Sequence, residues 1–461
     1  GDRIAEPTDD FAAPVHAGTS GVVQGIEERP VIPPSGLPAS CLIIAPDGAD
    51  EAAETLPLLA VDGLTMEALA ERAHACGIVG LGGAAFPTHA KLTAPGAEPL
   101  ASLIINGAEC EAWITADEML MRTRAERVIE GTALTARALQ PAETVIAVED
   151  DKTEALAALT EARDAANAAI EIVAVPARYP VGGEKQLIQV LTGREVPSDD
   201  VPPSIGVACL NVATAAAIND AVHEGRPVTR RLVAVTGDAI NEPQVLEARI
   251  GTPVAALIAE AGGYTDGVQR LVAGGPMMGT AIRDDAVPIT RATHGLLAGS
   301  RELFPPPEPA LPCIRCSACS DACPVSLLPQ QLYWYARADD LEQAQEHQLF
   351  DCIECGICAE VCPSHIPLVE YFRYAKDAVE AREAEREQAD RARQRYEARR
   401  ERLAREEAEK RARREAKKAA VKGQGGKDER KQAVQDALAR ARQRKHGDGQ
   451  QNTGNDGGDE G

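Results

Sequence analysis

Eight of the twelve cysteines in this chain fall into two copies of one spacing. Each copy has the form Cys-x2-Cys-x2-Cys-x3-Cys-Pro, at residues 313–324 and 352–363. In this pattern three thiolates on a short loop hold one [4Fe–4S] cube, and the fourth cysteine reaches the neighbouring cube. Such cubes carry single electrons. The spacing therefore predicts one cluster on Cys313, Cys316, Cys319 and Cys362, and a second on Cys352, Cys355, Cys358 and Cys323.

Structural zinc is the alternative interpretation of paired cysteines. Zinc sites usually combine two pairs that are well separated in sequence, whereas each run here is unbroken and ends in proline. Disulfides are disfavoured because a chain of 461 residues can bury a core without them and no signal peptide is visible. Reduced thiols would indicate a cytosol-facing protein. Four further cysteines are expected to be buried thiols, namely Cys41, Cys76, Cys110 and Cys209.

A second candidate site begins with the glycine-rich segment at residues 77–91, which follows a helical pattern at 64–75. Successive glycines let backbone amides face one anion, and Lys91 adds a positive charge. A phosphate is the expected ligand, although no Gly-Lys-Ser/Thr closes the loop and no strand leads into it. A tight turn without a ligand is the alternative.

Alternating strand and helix patterns surround this loop and predict a layered α/β domain. Asn106 and Glu109 follow the first strand, where ligand-binding residues of open α/β sheets lie. A second glycine turn carries Tyr179 and Glu184 into a helix and suits a planar polar ligand beside a phosphate. The predicted strands are residues 103–105, 144–148 and 170–175, and the predicted helices are residues 116–138, 153–168 and 184–194.

Composition limits the possible partners. The net charge of −23 opposes nonspecific nucleic-acid binding, and only 3% of residues are aromatic. Residues 376–446 nevertheless carry 24 Lys and Arg against 15 Asp and Glu. No run of apolar residues is long enough to span a bilayer. The chain is therefore expected to be soluble, or attached to a membrane only through partners.

The end of the chain has its own composition. Residues 371–420 pair acids and bases at helical spacing without an apolar seam, which predicts a long solvated helix. Such a basic helix is either a solvated arm or a contact for anionic lipid or an acidic partner. Residues 423–461 are expected to be disordered.

Together these segments resemble the C subunits of Rnf electron-transport complexes, whose α/β core is similar to the NADH-binding flavoprotein subunit of respiratory complex I. The resemblance spans roughly residues 5–380. Besides both cysteine runs, the segments that carry it are residues 77–92, 106–111, 179–197, 211–214, 274–279, 328–335 and 363–369.

The resemblance implies a multidomain chain of the α/β and α+β classes. The chain starts without methionine, and the front half of its first domain is expected to be absent. The implied domains are a partial β-rich barrel-sandwich unit (1–50), an FMN- and NADH-binding α/β domain like the complex I flavoprotein (60–228), a β-grasp module (229–300), a ferredoxin-like α-helical domain with two [4Fe–4S] clusters (305–375), and a charged helical and disordered tail (376–461).

The resemblance also implies FMN as a cofactor and NAD(H) as a substrate. Phe86 would lie near the adenine end of NADH. Three residues depart from the complex I pattern: Leu81 replaces a basic residue, Ala85 replaces a glycine, and Lys185 replaces a second acid. The residues expected to hold the phosphate and ribityl chain are Gly80, Gly82, Gly83 and Lys91. Those expected around the flavin are Asn106, Glu109, Tyr179, Gly182, Gly183, Glu184 and Asn211.

The implied activity is that of an NADH:ferredoxin-type oxidoreductase subunit. Flavin converts the electron pair of NADH into the single electrons that clusters carry, while membrane partners couple the flow to ion transport. No side chain is needed as an acid or nucleophile, and the histidines are expected to be structural. The implied partners are other Rnf subunits, NADH and, indirectly, ferredoxin or flavodoxin. The implied location is peripheral, on the cytoplasmic face of the bacterial inner membrane.

Two other functions remain open from the sequence. The chain could be a relay or docking subunit that keeps its clusters but has no working flavin site, and the methyl group of Ala85 supports that interpretation. It could also be a soluble dehydrogenase subunit of a hydrogenase or formate enzyme. The match at residues 328–335 and the lack of further cysteine runs argue against this second alternative.

Overall fold

The computed structural model describes residues 1–9, 11–32, 38–94, 99–198, 200–423 and 426–447. The described residues up to 378 form one compact unit, and the described residues from 379 to 447 form a second. Both candidate sites lie within the first unit.

The chain begins with a small β-rich part, as the sequence predicts. Its strands pair in two antiparallel sheets, and Val22 and Ile26 on the longer hairpin are exposed. The strands are β1 (Arg3–Ala5), β2 (Val15–His16), β3 (Gly21–Pro30) and β4 (Pro38–Pro46).

The α/β part that follows contains the glycine-rich segment. Its elements are α1 (Met66–Ala75), α2 (Thr88–Leu92), β5 (Ser102–Gly107), α3 (Ala116–Thr123), α4 (Ala125–Leu139), β6 (Glu143–Glu149), α5 (Thr153–Ala166), β7 (Glu171–Val175), α6 (Glu184–Thr192), β8 (Val207–Asn211) and α7 (Val212–His223). Four strands form a parallel sheet in the order β7-β6-β5-β8. Crossover helices cover such sheets on both faces, and accordingly Leu103, Ile104 and Ile105 are all at most 1% exposed.

Two predicted helices differ from those observed. The expected helix at 116–138 is broken at Arg124, whose φ of −141° is not helical, and Arg124 instead reaches Glu247 at 2.8 Å. The helix expected to continue to residue 194 ends at Thr192 because Gly193 adopts a left-handed φ of +69°. The helical periodicity alone would extend both helices. The ion pair of Arg124 with the distant Glu247 and the left-handed conformation of Gly193 end them earlier.

The next part is a mixed five-stranded sheet in the order β10-β9-β13-β11-β12, with β13 parallel to β9 and one helix packed against it. This arrangement agrees with the predicted β-grasp module. Its elements are β9 (Arg230–Thr236), β10 (Gln244–Arg249), α8 (Val254–Glu260), β11 (Val268–Ala273), β12 (Thr280–Ile282) and β13 (Gly295–Ser300).

Short helices frame the two cysteine runs. They are α9 (Ala318–Asp321), α10 (Pro329–Ala338), α11 (Leu341–Glu346) and α12 (Ile357–Glu360). The remaining helices are α13 (Leu368–Gly423) and α14 (Lys427–Gly447). Among the described residues, no helix combines the length and the apolar character needed to cross a bilayer.

The prediction of disorder for residues 423–461 is wrong for residues 427–447, which form α14. Ala, Arg, Lys and Gln dominate this segment and are strong helix formers, while Asp428 and Glu429 favour the first turn. Residues 424–425 and 448–461 lie outside the described residues.

Candidate functional site

The carboxyl edge of the parallel sheet brings together residues that are far apart in sequence. Asn106, the next-to-last residue of β5, donates from its side-chain amide to the carbonyl oxygen of Gly182 at 2.9 Å. Asn211 ends β8, and its side-chain oxygen accepts from the Ala213 amide at 2.8 Å, which caps α7. Two strand ends, one helix start and the 179–184 turn therefore meet at this edge.

The glycine loop at 80–87 folds against the same edge. The Gly80 amide donates to the Phe86 carbonyl at 2.7 Å, and the Ala85 amide donates to the Gly80 carbonyl at 3.1 Å. A methyl group on Gly82 would lie 3.2 Å from the Asn211 side chain. Gly83 has a φ of +116°, which other residues rarely adopt. The loop therefore presents backbone, rather than side chains, beside Asn211.

Ala85, which stands where the complex I pattern has glycine, adopts a φ of +53°. This left-handed conformation brings Cβ close to the following carbonyl oxygen and costs roughly 1 kcal/mol. The loop thus keeps a backbone conformation that suits glycine, and Ala85 adopts that conformation under strain.

We predict that Ala85→Gly raises the free energy of unfolding by up to about 1 kcal/mol, because it removes this strain. Ala84→Gly is the matched control: Ala84 has no positive φ, so glycine there should destabilise by roughly 0.5–1 kcal/mol. Guanidinium denaturation of both variants measures the difference. Equal changes at the two positions would contradict the assignment of strain to Ala85.

Two predicted site residues form an ion pair at the rim of this edge. The Nζ atom of Lys91, on α2, lies 2.5 Å from a carboxylate oxygen of Glu184, the first residue of α6. Both side chains are partly exposed, at 27% and 37%. Beneath them burial, together with Glu184, raises the pKa of the Cys209 thiol to about 12, so Cys209 is a neutral thiol. The rim therefore offers a cation and a carboxylate side by side to a polar ligand.

Behind the rim lies a charge network of buried Arg231 and half-buried Glu109 and Asp117. Both carboxylate oxygens of Glu109 accept hydrogen bonds from backbone amides at the start of α3, at 3.0–3.1 Å. Asp117 accepts from the Asn211 side-chain amide at 2.6 Å. Arg231, on β9, donates to the Leu81 carbonyl of the glycine loop at 2.9 Å. Burial raises the pKa of Glu109 and of Asp117, and the Arg231 charge opposes this rise for Asp117.

Two predicted site residues also contact residues outside this edge. The Phe86 ring is 45% exposed and lies against the ring of Phe11, with centroids 6.3 Å apart. The Tyr179 hydroxyl donates to the backbone carbonyl of Cys355 at 2.7 Å, within the second cysteine run. Tyr179 therefore connects the sheet edge to the cysteines.

Several polar residues at this edge carry no prediction from the sequence. Arg231 gives no signal except a charge within an apolar strand, and Glu111 and Thr214 lie in segments that carry the resemblance but have no role implied by it. Thr214 accepts the Leu81 amide at 3.0 Å. Glu111 accepts the amides of Met277 and Met278 at 3.3 and 2.6 Å.

The cysteines line two separate cavities, and each cavity draws its fourth cysteine from the other run. One cavity is lined by Cys313, Cys316, Cys319 and Cys362, and the other by Cys323, Cys352, Cys355 and Cys358. These are the sets that the spacing groups together. Their role as iron ligands stays a prediction. Among the described residues, no three His, Cys, Asp or Glu side chains converge closely enough to hold one metal ion.

The chemistry of the second cavity suits an iron–sulfur cube. Burial, and then the neighbouring cysteines, raise the pKa of Cys358 to about 12. Buried thiols such as Cys355 and Cys358, whose pKa values burial raises, would stay protonated at neutral pH unless iron stabilised their thiolates. Lys376 adds positive charge nearby by donating to the Cys352 carbonyl at 2.6 Å.

The sheet edge likewise suits a flavin phosphate. The buried Oγ atom of Thr88, at the start of α2, has no hydrogen-bond partner within the part of the chain that the structure describes. It follows the glycine loop directly, and Lys91 lies one turn further along the same helix. A hydroxyl, a cation and open backbone amides are the groups that bind phosphate in proteins.

Comparisons with known proteins match four parts of the chain to family models. The RnfC barrel sandwich hybrid domain matches residues 1–49, and the Nuo51 FMN-binding domain matches residues 73–220. The SLBB domain matches residues 232–281, and the 4Fe-4S dicluster domain matches residues 309–366. The predicted fold class is therefore confirmed, and FMN and [4Fe–4S] clusters are the cofactors that these domains bind.

A solved structure of an NAD+-reducing [NiFe]-hydrogenase in its H2-reduced state shares the fold. The TM-score is 0.50 at 20% identity, and the match covers 70% of this chain and 65% of that chain.

Relatives of known name are much more similar in sequence. The C subunit of the ion-translocating oxidoreductase complex of Pseudomonas aeruginosa is 49% identical over 407 residues, or 88% of this chain and 52% of that protein. The protein of the same name from Serratia proteamaculans is 47% identical over 93% of this chain and 60% of that protein. The chain thus spans little more than half the length of these relatives. It belongs to the family of C subunits of ion-translocating oxidoreductase complexes.

Proposed function

We propose that this chain exchanges electrons between NAD(H) and its partner proteins through FMN and two [4Fe–4S] clusters. The observation that carries the proposal is the hydrogen bond from the Tyr179 hydroxyl to the Cys355 carbonyl at 2.7 Å. Through this bond the edge that fits a flavin and the cavity that fits a cluster lie side by side. Such proximity is what transfer between the two groups requires.

In this proposal the chain's own residues bind and orient the flavin. Gly80, Gly82 and Gly83 keep side chains away from its phosphate and ribityl chain, and Lys91 offsets the phosphate charge. When bound, FMN accepts hydride from NADH and releases electrons one at a time. The residues that would surround the ring are Asn106, Glu109, Tyr179, Gly182, Gly183, Glu184 and Asn211.

The ion pair of Lys91 and Glu184 indicates which ligand groups this edge would bind. Lys91 and Glu184 form this ion pair at 2.5 Å. Lys91 would hold the flavin phosphate, and Glu184 would accept a hydrogen bond from the carboxamide of a nicotinamide ring. Glu109 stays engaged with the start of α3 and acts on the flavin only through charge and position.

The clusters would then be held crosswise. Cys323, Cys352, Cys355 and Cys358 hold the cluster next to the flavin, and Cys313, Cys316, Cys319 and Cys362 hold the one further along. Cys316 is exposed, which suits exchange with a partner. Those partners are other subunits of an Rnf complex, with ferredoxin or flavodoxin beyond them, at the cytoplasmic face of the inner membrane. Ion movement belongs to the partners.

Anaerobic reconstitution with FMN, iron and sulfide tests this function. We expect one noncovalent FMN and about eight irons per chain, and bleaching of the flavin by NADH. A preparation that binds iron but no FMN, and that NADH does not bleach, would contradict the proposal and support the relay alternative. Bound zinc in place of iron would contradict both functions.

A further inference from the structure

Tyr179 and Met277 both contact the second cysteine run at a single peptide unit, Cys355–Gly356. On one side the Tyr179 hydroxyl donates to the Cys355 carbonyl at 2.7 Å. On the other side a methyl group on Gly356 would lie 3.2 Å from the Met277 carbonyl and 3.4 Å from the Met277 Cε atom. Gly356 has a φ of +82° and directly precedes α12. The peptide is therefore enclosed between the flavin domain and the β-grasp module.

Met277 is itself held by the flavin domain. It lies in the Gly-Gly-Pro-Met-Met-Gly turn at residues 274–279, and Glu111 accepts the amides of Met277 and Met278 at 3.3 and 2.6 Å. A methyl group on Gly275 would lie 2.5 Å from a Glu111 carboxylate oxygen, so the turn fits the carboxylate closely. Burial raises the pKa of Glu111, and the two donated hydrogen bonds oppose this rise. Glu111 thus fixes the turn that covers Gly356.

Two contacts, which we call the arms, hold this peptide: the Tyr179 hydroxyl, and the Glu111 carboxylate acting through the Met277–Met278 turn. Both arms start close together in the flavin domain. Glu111 follows the carboxyl end of β5, and Tyr179 begins the turn whose Gly182 carbonyl accepts from Asn106 at 2.9 Å. A further contact of the same kind joins Ser198 to Asp351, one residue before the second run. No residue of either arm is a cysteine of the second cavity. The arms can therefore act on the cluster only by positioning its loop.

We propose that Tyr179 and Glu111 form an interdomain clamp that positions the Cys355–Gly356 peptide beside the flavin pocket and so sets the rate of electron exchange between flavin and the second cluster. The inference rests on the proposed function. Tyr179 and Glu111 are positioning residues, because one acts through a backbone carbonyl and the other through the Met277–Met278 turn.

Hydrogen–deuterium exchange tests the clamp without requiring any activity. Tyr179→Phe removes one hydrogen bond and keeps the ring, and Glu111→Gln replaces one acceptor oxygen by a donor. Each change should speed amide exchange in residues 353–361 by about fivefold to tenfold, the effect of losing one hydrogen bond. The double variant should change less than the product of the two single effects, because both arms hold one peptide.

Matched controls separate the clamp from general loosening. Tyr264→Phe removes a hydroxyl bonded to Asp285 at 3.0 Å in the β-grasp module, and Glu247→Gln weakens the pair with Arg124 at 2.8 Å. Neither control should change exchange in residues 353–361. Unchanged exchange in both Tyr179→Phe and Glu111→Gln, or equal acceleration in the controls, would overturn the clamp.

Stopped-flow spectroscopy of the reconstituted chain then tests its effect on electron exchange. In Tyr179→Phe and Glu111→Gln, cluster reduction by NADH should slow about fivefold relative to flavin reduction in the same sample, with the iron content kept. A constant ratio of the two rates would overturn the positioning role. Failure of the wild-type chain to bind FMN would instead reject the proposed function, while the exchange result would still decide whether the clamp exists.

Discussion

Serine in place of Cys323 should abolish the iron–sulfur centre of the second cysteine run, although Cys323 belongs to the first run. Cys323 lines the cavity with Cys352, Cys355 and Cys358, so its loss leaves that cube with three thiolates. Iron should fall from about eight to about four atoms per chain. Because this cavity adjoins Tyr179, reduction of the remaining cluster by NADH should fall by at least about tenfold. Iron analysis and electron paramagnetic resonance measure both effects.

Cys362→Ser is the reciprocal control. It should remove the cluster of Cys313, Cys316 and Cys319 and leave the second run reducible by NADH. The two variants should therefore lose the same amount of iron but retain different spectra. If Cys323→Ser instead removed the centre on the first run, the crosswise arrangement would be wrong.

Removing Arg231, which reaches from β9 of the β-grasp module to the glycine loop, should cause a large loss of stability. Arg231 is 7% exposed, its guanidinium donates to the Leu81 carbonyl at 2.9 Å, and it lies near the half-buried carboxylates of Asp117 and Glu109. Burial lowers the pKa of Arg231 to about 10, so it remains charged at neutral pH. Arg231→Met leaves those carboxylates without a buried counter-charge and should cost about 3–5 kcal/mol in guanidinium denaturation.

The adjacent Arg230 is the matched control. It is 49% exposed and meets Asp50 at 3.5 Å, so Arg230→Met should cost less than about 1 kcal/mol. Adding Asp117→Asn to Arg231→Met should recover part of the loss, because it removes one uncompensated charge. Equal losses at positions 230 and 231, or no recovery in the double variant, would contradict this interpretation of the network.

Local patterns in the sequence are sufficient to predict several elements of the site. Cysteine spacing groups the residues that line each cavity, because each run is one short loop. Asn106 can be placed at the sheet edge because polar residues that follow a buried strand lie at its carboxyl end. The departure at Ala85 is visible from the motif, and the structure adds its positive φ.

The contacts between domains cannot be predicted in this way. Tyr179 and Cys355 are 176 residues apart, and Glu111 and Met278 are 167 apart. Such pairs depend on how whole domains pack, and a side chain that accepts or donates one long-range hydrogen bond leaves no periodic signal. The helix at 427–447 escapes prediction for a different reason, since the Gly-, Asn- and Asp-rich composition that follows it masks its helix-forming residues.

Freeze-quench electron paramagnetic resonance after anaerobic mixing with NADH decides whether electrons reach the clusters through the flavin. We expect signals of reduced [4Fe–4S] clusters to appear in the FMN-replete chain after the flavin has bleached. We also expect these signals to be absent in chain stripped of FMN and to return when FMN is added back. Cluster signals that appear equally without FMN, or a flavin that bleaches while excess NADH never reduces a cluster, would contradict transfer through the flavin.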